Sequence, residues 1–196
     1  MADPAYIVNG VLTDGEAWVA VASEEPNGSV SVVTFTSTDD GQVGDWSQYM
    51  DLVVISYVQF TTGSGSPSSW FVNLNNDTAA NYDLQFFRGG GSGPAVQATA
   101  QTGQTEAKMG FATTDGTANI FTANVAHFFD INSGKYKTIL CQEAGSNDSD
   151  GYVGLVANTW LSQAAVTELD FTADSTPNFE SGTRFDLFGV LPRMVA

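Results

Sequence analysis

Cysteine is almost missing from this chain of 196 residues: Cys141 stands alone, so no internal disulfide framework staples the fold. Basic residues are scarce too, 6 Lys and Arg against 22 Asp and Glu, a formal net charge of −16. Nucleic-acid binding relies on Lys and Arg displacing counterions from phosphates, and so few cannot form a basic stripe. The same shortage excludes an anionic membrane surface as a partner. The longest strongly apolar stretch, LVVISYVQF, is about half a membrane span. The opening MADPAYIVNG has neither a basic n-region nor an apolar h-region, so it predicts a soluble product made without a secretory signal. Helical periodicity is nearly absent.

The acidity does not forbid self-association. A 20.7 kDa chain is expected to expose roughly 9,000 Å², one net charge per ~560 Å² or a mean spacing of ~24 Å. The screening length at physiological salt is about 8 Å, so average repulsion between copies is largely screened. The charge serves solubility.

What the chain has is alternation. Period-2 runs rich in Val, Ile, Thr and aromatics recur at 17–22, 29–36, 51–60, 70–75, 83–87, 95–100, 119–131, 137–143, 151–157, 166–171 and 184–190. Asp-Gly turn signals fall at 13–15, 39–41, 114–116 and 149–151. This pattern predicts an all-β fold, an antiparallel two-sheet sandwich of jelly-roll type. The expected layout is an N-terminal strand or arm over 1–25, the sandwich over 26–190 and a tail over 191–196. In 119–131, Phe121, Ala123, Val125, His127, Phe129 and Ile131 share one side. Thr122, Asn124, Ala126 and Phe128 share the other. Both sides are partly apolar, which predicts a central strand or one covered on both faces.

Chemistry-bearing motifs are weak. The Gly-rich stretch at 89–93 runs into Pro94 with no Gly-Lys-Ser/Thr and no following helix, so it reads as a hairpin loop and not a phosphate cradle. Asp148 and Asp150 before Gly151 resemble the middle of a calcium loop, but in that register Ser146 and Ala157 occupy the two key ligand positions. They remain the only metal candidates. His127 and Cys141 both sit among apolar neighbours and read as packed side chains. Of the four tryptophans, Trp70 follows the loop GSGSPSS and is the candidate platform for stacking a glycan. No catalytic residue and no cofactor are expected.

Four ordered segments carry a resemblance. Asn75, Asn81 and Tyr82 lie in FVNLNNDTAANYDLQFF, and Asn132, Lys135, Tyr136, Lys137 and Thr138 in DINSGKYKT. Trp160, Ala165, Val166 and Leu169 lie in NTWLSQAAVTELDF, and Phe179, Gly182, Phe185, Leu187 and Gly189 in PNFESGTRFDLFGV. Over roughly 49–190 the chain resembles a family of tailed-bacteriophage virion structural proteins, common in phages of aquatic bacteria and cyanobacteria. The resemblance implies a jelly-roll module of particle surfaces, usually a homotrimer. It implies the outer virion surface as location, after synthesis in the host cytoplasm, and the major capsid protein or other virion subunits as partners. The primary expectation is a trimeric capsid decoration (cement) protein. The alternative is a tail-associated receptor-binding adhesin recognising host surface glycan. Pro192 ends strand pairing, which makes Leu191, Met194 and Val195 candidate subunit contacts.

Overall fold

The computed structural model describes residues 7–8, 11–12, 17–61, 67–90, 96–114, 119–146, 151–174 and 178–192. A minimal hairpin pairs β1 (Ile7–Val8) with β2 (Val11–Leu12). The strands that follow are β3 (Trp18–Glu24), β4 (Val32–Thr36), β5 (Asp51–Val58), β6 (Ser68–Leu74), β7 (Tyr82–Gly90) and β8 (Val96–Gln104). The remainder are β9 (Ala107–Ala112), β10 (Thr122–Phe129), β11 (Lys137–Ser146), β12 (Gly151–Trp160), β13 (Glu168–Ala173) and β14 (Arg184–Val190). One 3-10 turn, Trp46–Gln48, interrupts the strands, and no α-helix occurs among the described residues.

Two antiparallel sheets pack face to face as a jelly-roll-type sandwich. The larger has the order β3-β14-β5-β10-β11-β12-β7-β8 and the smaller β4-β13-β6-β9. Alternation decides which residues enter the core. In β10 the inward side is Thr122, Asn124, Ala126 and Phe128, while Ala123 and Val125 face out. The strand is central, between β5 and β11. Of the N-terminal 1–25 segment, Trp18–Glu24 forms an edge strand of the large sheet against β14. Gly41, in an expected Asp-Gly turn, has φ +67°, the left-handed backbone that such a turn requires.

The C-terminal strand β14 sits between β3 and β5, and its inward aromatic joins the two sheets. The Phe185 ring lies 5.1 Å from Phe171 and 5.2 Å from Phe179, with Trp70 at 5.9 Å. All four side chains are buried. Arg184, on the outward side, pairs with Asp186 at 2.9 Å two residues along the same strand, and not with a carboxylate across the sheet. Three of the quoted segments meet as posts of the fold. Asp77 accepts hydrogen bonds from Trp160 Nε1 (2.8 Å), Asn81 Nδ2 (2.9 Å) and the Ala79 N–H (3.0 Å). Burial raises its affinity for a proton, but these bonds outweigh it and hold the carboxyl below its ordinary range. Asn75 Nδ2 donates to Ala165 O (2.7 Å) and its Oδ1 accepts from the Thr167 N–H (2.8 Å). Asn132 Nδ2 donates to Trp46 O (2.8 Å) and Tyr49 O (2.9 Å).

Phe185→Ala empties the joint between the sheets, and urea unfolding should show a loss of about 3–5 kcal/mol. Arg184→Ala breaks only an exposed pair and should stay within about 0.5 kcal/mol of the parent.

Candidate functional site

Two constellations stand out, back to back on the same strands of the large sheet. The inner one is polar. Strand β9 is an edge of the small sheet, so its backbone has no strand partner on one side. Buried side chains of the opposite sheet supply the partners. Asn158 on β12 accepts from the Lys108 N–H and donates to Lys108 O, both at 2.9 Å. Asn124 on β10 donates to Met109 O (2.9 Å), and Glu143 Oε2 on β11 accepts from the Phe111 N–H (2.5 Å). The Tyr152 hydroxyl donates to Phe111 O (3.3 Å) and shares a hydrogen bond with Thr122 Oγ1 (2.5 Å).

Glycine makes this seam possible. A Cβ on Gly110 would lie 2.1 Å from Glu143 Oε2, and one on Gly154 would lie 2.3 Å from Oε1. Gly110 also holds φ +147°, which only glycine adopts without strain. Two cations attend the cluster. The Arg88 guanidinium lies over the rings of Phe111 (4.5 Å) and Tyr152 (4.6 Å). Lys108 Nζ donates to Ser69 Oγ (2.5 Å) and lies 4.0 Å from the Phe111 ring centroid.

Burial pushes the Glu143 carboxyl up to about 7, against the opposing pull of the Phe111 N–H, Arg88 and Lys108. Burial also brings the Lys108 ammonium down to about 8, with Glu143 and Asp174 opposing and Arg88 reinforcing. Tyr152 is raised by burial as well. Cys141, a neighbour on β11, is buried and its thiol is pushed far up by burial and by Glu143, so it stays a neutral thiol. His127 contacts Asp51 Oδ2 at 2.8 Å and stacks on Phe129 with centroids 3.8 Å apart. Among the described residues no hydroxyl or thiol hydrogen-bonds its ring.

The outer constellation is apolar. Outward side chains of β14, β5, β10, β11, β12, β7 and β8 align in rows, three of which cross all seven strands, with a shorter one at the Asp51 and Asp83 end. The middle row runs from Ile55 through Val125, Gln142 and Leu155 to Phe87. Here Val125 is 41%, Phe87 50% and Val153 58% exposed. Val125, Gln142, Leu155, Phe87 and Val153 line a concavity of about 440 Å³. The opposite outer face differs: β4 and β13 present Val32, Thr34, Thr36, Glu168, Asp170 and Thr172.

The sequence-based candidates fall elsewhere. Trp70 is 0% exposed and its ring is covered by Phe171, Phe179 and Phe185, so it is a core residue and not a glycan platform. Leu191, partly buried, packs against its own core and its N–H donates to Ala17 O (3.0 Å). Met194, Val195, Asp148 and Asp150 lie outside the described residues. Among the described residues no cluster of His, Cys, Asp or Glu is arranged to hold a metal ion. Glu143 escaped sequence reasoning. Its signal was an acid in register with the buried positions Ile139 and Cys141.

The seam gives a signed pH dependence. The folded chain holds a proton on Glu143 that the unfolded chain releases above its ordinary 4.5. Stability from this group is therefore lost as pH rises from about 4.5 to about 7, by on the order of 2–3 kcal/mol. Lys108 acts oppositely: stability is regained as pH rises from about 8 towards its ordinary 10.5. Glu143→Gln keeps an acceptor for the Phe111 N–H and should flatten the limb between pH 4.5 and 7 in urea midpoints measured across pH.

The chain matches no protein-family model, no curated protein and no solved structure.

Proposed function

We propose that this chain is a bacteriophage virion structural protein, a trimeric decoration protein on the outer surface of the head. The observation that carries the reading is the outer face of the large sheet. It is broad, apolar and exposed, and it is built to be covered by protein in an assembly. The resemblance supports the reading, because residues that carry it, such as Asn75, Asn81, Trp160 and Phe185, serve as hydrogen-bonding or packing posts. The charge supports an outward location, since a protein facing packaged DNA would be basic. A chain that binds only the intact lattice stabilises the shell by mass action. The glycan-binding alternative loses its stacking platform with Trp70 in the core.

The test is a mass-spectrometric count in purified particles of the phage that encodes the chain. Roughly hundreds of copies per particle are expected from a symmetric shell. A few dozen or fewer would place the chain on the tail, and its absence from particles would overturn the reading altogether.

A further inference from the structure

We infer that a second copy of this chain docks on the outer face of the eight-stranded sheet, centred on Val125, Leu155, Phe87 and Val153. The inferred contact is a two-fold pairing of like faces, distinct from the contact that closes a trimer, and it rests on the assembly reading above only for where the complex is used.

Charge selects the occupant. Across the outward rows of these seven strands the formally charged side chains are Arg184 and Asp186, which neutralise each other at 2.9 Å, Asp51, buried against His127, and Asp83 at the start of β7. The chain as a whole carries −16. This face is therefore a broad surface on which two such acidic chains meet with little like charge, Asp51 and Asp83 each being engaged by a partner in its own chain, while the β4–β13 face would set Glu168 and Asp170 against their counterparts.

Area and texture fit the same occupant. Seven strands at about 4.8 Å and three rows at about 6.8 Å give a footprint of roughly 700 Å². A stable complex needs about 800 Å² per partner, so nearly the whole face is used when a copy covers it. The rows alternate large and small: Phe87 stands beside Ala98, Val125 beside Ala123, and Leu155 beside Ala157. A face with both ridges and hollows can receive its own counterpart, sheet on sheet. A glycan would require a polar lining, and Gln142 is the outward polar side chain that the concavity offers.

Substitution with glutamate adds like charge to both members of such a contact. Val125→Glu and Val153→Glu are outward on the sheet, so each should keep the parent's circular dichroism. Val32→Glu, on the exposed outer face of β4, is the control. Sedimentation equilibrium of the full chain from about 1 to 100 µM should give a mass that is a multiple of 20.7 kDa. Val125→Glu or Val153→Glu should weaken association by about 100-fold or more, because each buries unpaired charge, and Val32→Glu should leave it unchanged. A parent that stays monomeric over this range overturns the inference. So does association that survives both glutamates, or that is lost on Val32→Glu or on removing residues 1–16 while Val125→Glu leaves it intact. A monomeric chain present in hundreds of copies on particles would sink this inference and leave the virion reading standing. Association through this face by a chain absent from particles would do the reverse.

Discussion

An open edge of backbone dictates the interior of this sandwich. Strand β9 ends the small sheet, and its N–H and C=O groups point into space enclosed by the large one. Each such group left unpaired would cost about 1–3 kcal/mol. Among the described residues no further strand is supplied; the large sheet instead sends Asn124, Glu143 and Asn158 from three adjacent strands to take the partner's place. Inward positions that would otherwise be apolar are thereby committed to polar residues. Gly110 and Gly154 follow as a steric consequence, because a Cβ at either would collide with the carboxylate. The near-neutral titration of Glu143 follows too: a carboxylate that satisfies a buried N–H must give up water.

The two ends of the sandwich solve the same problem by different means. Around β9 the sheets are joined by directional hydrogen bonds, which fix register. Around β14 they are joined by Phe185 against Phe171, Phe179 and Trp70, which fix separation. Ring contacts tolerate small slides, whereas Asn158 gripping both backbone groups of Lys108 does not. Specificity of alignment thus resides at the polar end, and bulk stabilisation resides at the aromatic end.

Much of the architecture was legible in the chain. Alternation located most strands of both sheets, including β14, where Phe185 and Leu187, named in the sequence only as carriers of the resemblance, point inward. Strand β9 was not, because AKMGFA is short and Gly110 interrupts its alternation with a backbone angle that ordinary strands avoid. Glu143 was missed for a related reason: an acid inside a core makes sense only once the edge that it serves is known. Trp70 misled because a loop precedes it, yet it shares the inward parity of Val72 and Leu74 in β6. The double-sided apolar pattern of 119–131 was read as a central strand or one covered on both faces; β10 is central, and its outward Val125 stays exposed.

The polar seam and the apolar outer face are properties of the same three strands. In β10, β11 and β12, Asn124 alternates with Val125, Glu143 with Gln142 and Ala144, and Asn158 with Ala157. Inward side chains that lock β9 therefore also fix the backbone that carries the outward rows. Were another protein to cover this face, the arrangement would help, since a preorganised face loses less conformational freedom on contact. A purely apolar interior would hold the strands together without setting their register so firmly. Placing the directional bonds directly behind the outer rows makes the register and spacing of those rows a consequence of the core.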